Sequence, residues 1–160
     1  MIAIFLLIGT VGLDQLTKIM VKRTMMLGES IPVLGNVVRL TYIRNPGIAF
    51  GIRVSNNTVF TIFSVLASIG VLVFLYRHWK EGRILQTGLC LILGGAVGNL
   101  IDRIFFGEVV DFIDVGFQHI RWPVFNIADS AVVIGMIILF FTVFRKESQH
   151  PTLTESEALM

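Results

Sequence analysis

Charge is what this sequence has least of. Only 15% of its 160 residues are Asp, Glu, Lys or Arg, against 54% hydrophobic ones, and mean hydropathy is +0.80. A soluble domain carries about 25% charged residues, so most of this surface is built to face something other than water. The formal charge of +2 is too small to argue for nucleic acid, and no basic run interleaved with aromatics is present, which sets that partner aside. A single cysteine, Cys90, excludes an internal disulfide framework. It lies in the run Leu89-Cys90-Leu91-Ile92-Leu93, where a reactive thiolate is disfavoured. His78, His119 and His150 fall in a short loop, a long loop and the tail, so no single metal site gathers them. Neither HExxH nor CxxC occurs, and neither does GxSxG. Aspartate chemistry is what remains for a hydrolase, with no cofactor expected.

What the chain has in place of charge is long apolar runs. Residues 58–76 and 84–101 carry no formal charge and approach the roughly 20 residues that cross a bilayer as helix. Residues 130–144 form a shorter run that reaches spanning length only if it begins near Asn126, which takes Asp129 into the helix. Residues 1–13 cover only about 20 Å as helix, so a first span must continue through Asp14 and Lys18. A signal peptide is the rival reading there. No positive charge precedes the apolar run and no small-residue cleavage site follows it, so a retained span is expected. The expected fold is therefore an all-α membrane protein with four transmembrane helices, at about 1–21, 58–76, 84–101 and 126–144. They form one domain over residues 1–146, and the polar stretch 147–160 is expected to be a disordered cytoplasmic tail.

Carboxylates at membrane depth are costly and mark functional sites. Successive spans alternate direction. Asp14 and Lys18 at the end of span one, Asn99, Asp102 and Arg103 at the end of span three, and Asp129 at the start of span four therefore meet one membrane face. The long loops, 22–57 and 103–125, lie on that same face. Within the first, residues 31–34 and 37–43 are rich in β-formers around Gly35-Asn36, a hairpin signal, and predict a small sheet there. Arg77, Lys80 and Arg83 in the short opposite loop place both termini in the cytoplasm by the positive-inside rule.

Asp14 and Lys18 are four apart and share a helical face. Asp111 and Asp129 form a candidate reacting pair, since two carboxylates sharing a proton can activate water and protonate a leaving amine. Blander roles compete. Asn126 can be an N-cap with Asp129 at N3, and Asp111 can be a solvated loop residue, as Asp114 is expected to be. Gly94 and Gly98 fit small-residue helix packing. Asn99, Asp102 and Arg103, at spacings of three and four, build either a polar network or an interfacial salt bridge. Asn45-Pro46-Gly47 reads first as a turn, with Asn45 also able to offer its amide to a substrate backbone. A small transporter with ion-relaying charges is the main functional alternative, although loop-borne Asp111 and clustering away from the midplane fit it poorly. A membrane assembly factor with structural charges is a third.

Five ordered segments resemble the lipoprotein signal peptidase (signal peptidase II) family. They are Asp14-Gln15-Leu16-Thr17-Lys18, Asn45-Pro46-Gly47-Ile48-Ala49-Phe50, Gly94-Gly95-Ala96-Val97-Gly98-Asn99-Leu100-Ile101-Asp102-Arg103, Val109-Val110-Asp111-Phe112 and Phe125-Asn126-Ile127-Ala128-Asp129. The resemblance implies a multi-pass enzyme of the bacterial inner membrane, with its site near the outer leaflet. It would cleave prolipoproteins before a diacylglyceryl-modified cysteine. Asp111 and Asp129 would be its catalytic dyad. Asp14, Lys18, Asn45, Gly47, Asn99, Asp102, Arg103, Asn126 and Ala128 would shape the site or hold substrate. Its implied partners are lipidated precursors, membrane lipids and globomycin-type cyclic peptide inhibitors. One polypeptide would supply the whole site, so a monomer would suffice, without metal.

Overall fold

The apolar runs fold into four helices in the structure, a computed structural model that describes residues 2–47 and 57–149. These are α1 (Ile2–Thr24), α2 (Asn57–Arg77), α3 (Arg83–Phe106) and α4 (Ile127–Gln149). Each outruns most of the stretch predicted for it. α1 continues through Asp14 and Lys18 and ends with Lys22 and Arg23 in its last turn, where cations offset the carbonyl end of the helix dipole. α3 runs five residues past the expected stop and ends where Gly107 turns left-handed (φ 77°), its N–H bonding the carbonyl of Arg103. α4 reaches Gln149, so residues 147–149, expected to be disordered, are helical; 150–160 lie outside the described residues. Among the described residues, α1, α2 and α3 are long and apolar enough to cross a membrane, while the apolar part of α4, Ile127–Thr142, is shorter. Phe5, Phe63 and Phe141 stand exposed on the helices, an outward apolar surface that calls for lipid or a partner.

α3 is the central element: α1, α2 and α4 all pack on it. Glycines let them come close. A Cβ on Gly94 would touch the Leu7 carbonyl of α1 at 3.1 Å, one on Gly88 the Gly135 carbonyl of α4 at 3.1 Å, and one on Gly95 would overlap the Ala128 carbonyl. The small-residue reading holds for Gly94 and Gly98, and Gly88, Gly95 and Gly135 extend it to the α3–α4 seam.

The expected hairpin is present as β1 (Ser30–Leu34) and β2 (Val38–Asn45), with Gly35 at φ 51° between them. The stretch 103–125, read from sequence as a loop, adds β3 (Val109–Phe117) and β4 (Ile120–Arg121), giving an antiparallel sheet ordered β1-β2-β3-β4. Asp114, expected to be solvated, is buried instead. Arg121 Nε reaches its carboxylate at 2.6 Å and Thr41 donates to it at 2.8 Å. Burial alone would push this carboxyl up, but the Arg121 and Thr41 hydrogen bonds outweigh it and hold it below the usual range. Tyr42, Val110 and Phe112 seat the sheet on Val21 and Met25 at the end of α1. Phe125 exchanges backbone hydrogen bonds with Ile113 at 2.7 and 3.0 Å, and this pins the entry to α4 against β3.

Candidate active site

The sheet, the ends of α1 and α3 and the start of α4 meet around one buried polar cluster. At its base, Lys18 has no solvent exposure and uses all three ammonium donors. They go to Asp14 Oδ2 at 2.8 Å, Asp102 Oδ2 at 3.1 Å and Asn99 Oδ1 at 2.9 Å. Both carboxylates are also fully buried, and neutral donors complete them. The Ala128 N–H reaches Asp14 Oδ1 at 2.9 Å, the Val110 N–H reaches Asp102 Oδ2 at 3.1 Å, and Gln15 Nε2 bridges Asp14, Asp102 and the Gly98 carbonyl. A buried ion group survives only when its remaining lone pairs are met in this way. Gly98 is part of the fit, since a Cβ there would lie 2.7 Å from Asp14 Oδ2.

The next layer carries the two candidate reacting carboxylates. Because Lys18 can only donate, Asn99 must turn its Oδ1 towards it, which aims Nδ2 at Asp129 Oδ1, 2.7 Å away. Asn126 and Asp129 form a reciprocal cap: Asn126 Oδ1 accepts the Asp129 N–H at 2.9 Å, and Asp129 Oδ2 accepts the Asn126 N–H at 3.1 Å. The bland N-cap reading is therefore correct as geometry, and it also orients the Asp129 carboxylate. Asn126 Nδ2 faces Asp111 Oδ1 at 2.7 Å, Asn99 Oδ1 at 3.1 Å and the Val110 carbonyl at 3.3 Å. Asp111 stands on β3 rather than in a loop and is 2% exposed. Asn45 Nδ2 donates to its Oδ2 at 3.0 Å, while Asn45 Oδ1 accepts the Gly47 N–H at 2.9 Å. Gly47 makes that turn at φ 101°, with the ring of Phe60 where a Cβ would be, two reasons for glycine. Burial pushes the Asp111 carboxyl up to about 6; the Asn45 amide opposes this and the Asp129 charge adds to it.

Arg103 adjoins this network without bonding to its carboxylates, near enough for the charges of Asp129, Asp111 and Asp102 to act on it. Among the described residues it makes no ion pair, its one hydrogen bond is a 3.5 Å contact to the Asn99 carbonyl, and its Nε is buried without a partner. Ile48, Ala49 and Phe50 of the Asn45-Pro46-Gly47-Ile48-Ala49-Phe50 segment lie outside the described residues. Sequence reasoning missed Gln15 as a bridging group, although an amide inside an apolar span was the available signal. A largely apolar cavity of about 550 Å³, lined by Trp122, Phe125, Ser130 and Val133, opens beside half-buried Asp129. The cluster has a carboxyl raised by burial, a second carboxylate bridged to it through two amides and an adjoining apolar volume, which is equipment for acid–base chemistry beside an apolar group.

Comparison with known proteins agrees with that equipment. The family model described as Signal peptidase (SPase) II matches residues 6–145. A lipoprotein signal peptidase of Halalkalibacterium halodurans is 47% identical over 84% of this chain and 86% of its own. One of Syntrophotalea carbinolica is 43% identical over 92% and 94%. The chain belongs to the signal peptidase II family. It is thus an aspartic peptidase by descent. A solved bacterial membrane enzyme superposes with a TM-score of 0.86 at 34% identity, over 94% of this chain and 92% of that one. A second gives 0.80 at 35% over 88% and 91%. The mostly helical architecture with a small antiparallel sheet is therefore similar to that of solved bacterial membrane enzymes.

Proposed function

We propose that this chain removes the signal peptide from diacylglyceryl-modified prolipoproteins by cutting before the lipidated cysteine, with Asp111 and Asp129 as its reacting pair. Family membership supplies the reaction class. The observation that carries the residue assignment is the bridging of these two carboxylates, from β3 and the first turn of α4, by the amides of Asn99 and Asn126. The ionised member of the pair takes a proton from water as the water oxygen attacks the scissile carbonyl carbon. The protonated member gives its proton to the carbonyl oxygen. Collapse of the tetrahedral diol breaks the C–N bond: the leaving amine departs with a proton from the pair, and a diol hydroxyl returns one to the pair as the carboxylic acid forms. Asp14, Lys18, Asn99, Asp102, Asn126 and Ala128 hold the two carboxylates in place. Asn45 and Gly47 fix Asp111 from the sheet, and Arg103 offers an unpaired donor to bound substrate.

α4 serves as a fourth span in this reading, short because its first turn enters the polar cluster. Both termini are cytoplasmic, and the cluster lies near the outer leaflet of a bacterial inner membrane, where acyl chains deliver the lipidated cysteine. The apolar cavity beside Asp129 is where globomycin-type peptides compete with substrate. Every group in the cluster comes from one chain, so a monomer suffices. The test is cleavage of a lipidated precursor by purified enzyme in detergent. Asp111→Asn and Asp129→Asn each lower the rate by roughly 10²–10⁴-fold while eluting and melting as folded protein. Near-normal turnover by either variant removes it from the pair.

A further inference from the structure

At the end of the bundle opposite the aspartates, α1 and α2 both pack on α3 and scarcely touch each other. The cleft between them has a volume of about 830 Å³. Its floor is apolar and drawn from all three helices, with Leu7, Leu75 and Leu93 among its residues, and its mouth carries Tyr76, Arg77, Trp79 and Lys80. We propose that this cleft binds an anionic phospholipid, one acyl chain lying against the leucines and the phosphate meeting Arg77 and Lys80.

The chemistry of the lining selects that occupant. Arg77 and Lys80 are exposed, and neither has an acidic partner among the described residues. The neighbouring Glu81 is engaged with His78 at 2.5 Å. Two free cations above a hydrocarbon floor match one phosphodiester above acyl chains, the arrangement by which basic pockets between helices hold lipid headgroups. Tyr76 and Trp79 sit at the same level, as aromatic side chains do at a membrane interface. A zwitterionic lipid is a poorer match because its headgroup brings a cation of its own. The amino-terminal region of a signal peptide is positively charged, so Arg77 and Lys80 repel it from this end of the bundle. The site rests on the helices being spans and is independent of the peptidase assignment.

Only two tryptophans are present, one in this cleft and one at the far face, so fluorescence can report on the cleft alone. The full chain carrying Trp122→Phe is reconstituted in phosphatidylcholine vesicles with rising fractions of brominated phosphatidylglycerol or brominated phosphatidylcholine. The anionic lipid quenches Trp79 at several-fold lower mole fraction. Arg77→Gln and Lys80→Gln each cut that preference by roughly fivefold, and Arg83→Gln, a nearby cation outside the cleft, leaves it unchanged. Equal quenching by the two lipids overturns the proposal. An equal loss in Arg83→Gln overturns it too, by reducing the effect to diffuse surface attraction. Relief of quenching by an equimolar synthetic signal peptide would assign the cleft to substrate instead.

Discussion

An ammonium removed from water needs three acceptors, and Lys18 finds them in Asp14, Asp102 and Asn99. Two carboxylates and one cation share that space, so the cluster depends on the cation more than on either anion. Lys18→Met leaves both carboxylates buried without a countercharge. The expected loss is about 3–5 kcal/mol, read from the denaturation midpoint in detergent; a midpoint like that of the parent would mean the carboxylates are neutral. The pairing of Asp14 with Lys18 was legible from their spacing. Their partners on α3 were legible only as residues of the same face. Ala128 entered only through the family resemblance, and the donor role of its N–H and of the Val110 N–H was not legible, because backbone donors carry no residue signature. Asp111 gives a second test. The Asn45 amide favours its ionised form, so deleting that amide leaves burial and the Asp129 charge less opposed, and the value rises above about 6. Asn45→Ala therefore moves the corresponding limb of the pH profile of kcat/KM, which belongs to the pair as a whole, towards higher pH. A limb that stays or moves towards acid contradicts the assigned geometry.

Helices and strands differed in how openly the sequence announced them. Apolar runs marked the helices, but their ends were set by groups the runs do not contain, such as the left-handed Gly107 after α3 and the Asn126 cap before α4. The β1–β2 hairpin followed from its turn. β3 did not, because Val109, Val110, Asp111 and Phe112 are buried in succession; a strand covered on both faces loses the alternation that identifies strands. Asp114 was misjudged for the same reason, its partner Arg121 being visible only once β4 folds back. The seam between α3 and its neighbours is testable at this scale. Gly98→Ala places a methyl 2.7 Å from Asp14 Oδ2 and 3.3 Å from the Ala128 Cβ, and overpacking of this kind costs about 1–3 kcal/mol. Gly12→Ala, with nothing within 4 Å of its Cβ, should instead gain up to about 1 kcal/mol from helix propensity. Thermal midpoints in one detergent compare the two directly, and equal shifts would show that propensity rather than close approach governs both sites.

The molecule as a whole has two unlike ends, and its placement in the membrane depends on telling them apart. Both ends carry cations, so orientation rests on how those cations are held rather than on their number. The structure distinguishes their situations. At the end that carries Asp111 and Asp129, Arg121 is held by Asp114 and the Asn36 carbonyl, Arg39 by the Asn36 side chain and Arg44 by the Tyr42 hydroxyl, all within or beside the sheet. At the other end, Arg77 closes α2, Arg83 opens α3 and Lys80 lies between them, flush with the helix termini where charge governs topology. The α2–α3 link is therefore expected in the cytoplasm, which puts the start of α2 outside. Asn57→Cys should react with an impermeant maleimide on intact cells, and Lys80→Cys only after permeabilisation. Cys90, with no exposed surface, leaves the parent protein unlabelled and makes each introduced thiol readable alone. The reverse pattern would invert the molecule and move the lipid cleft to the outer leaflet. Labelling of both from one side would remove α2 as a span.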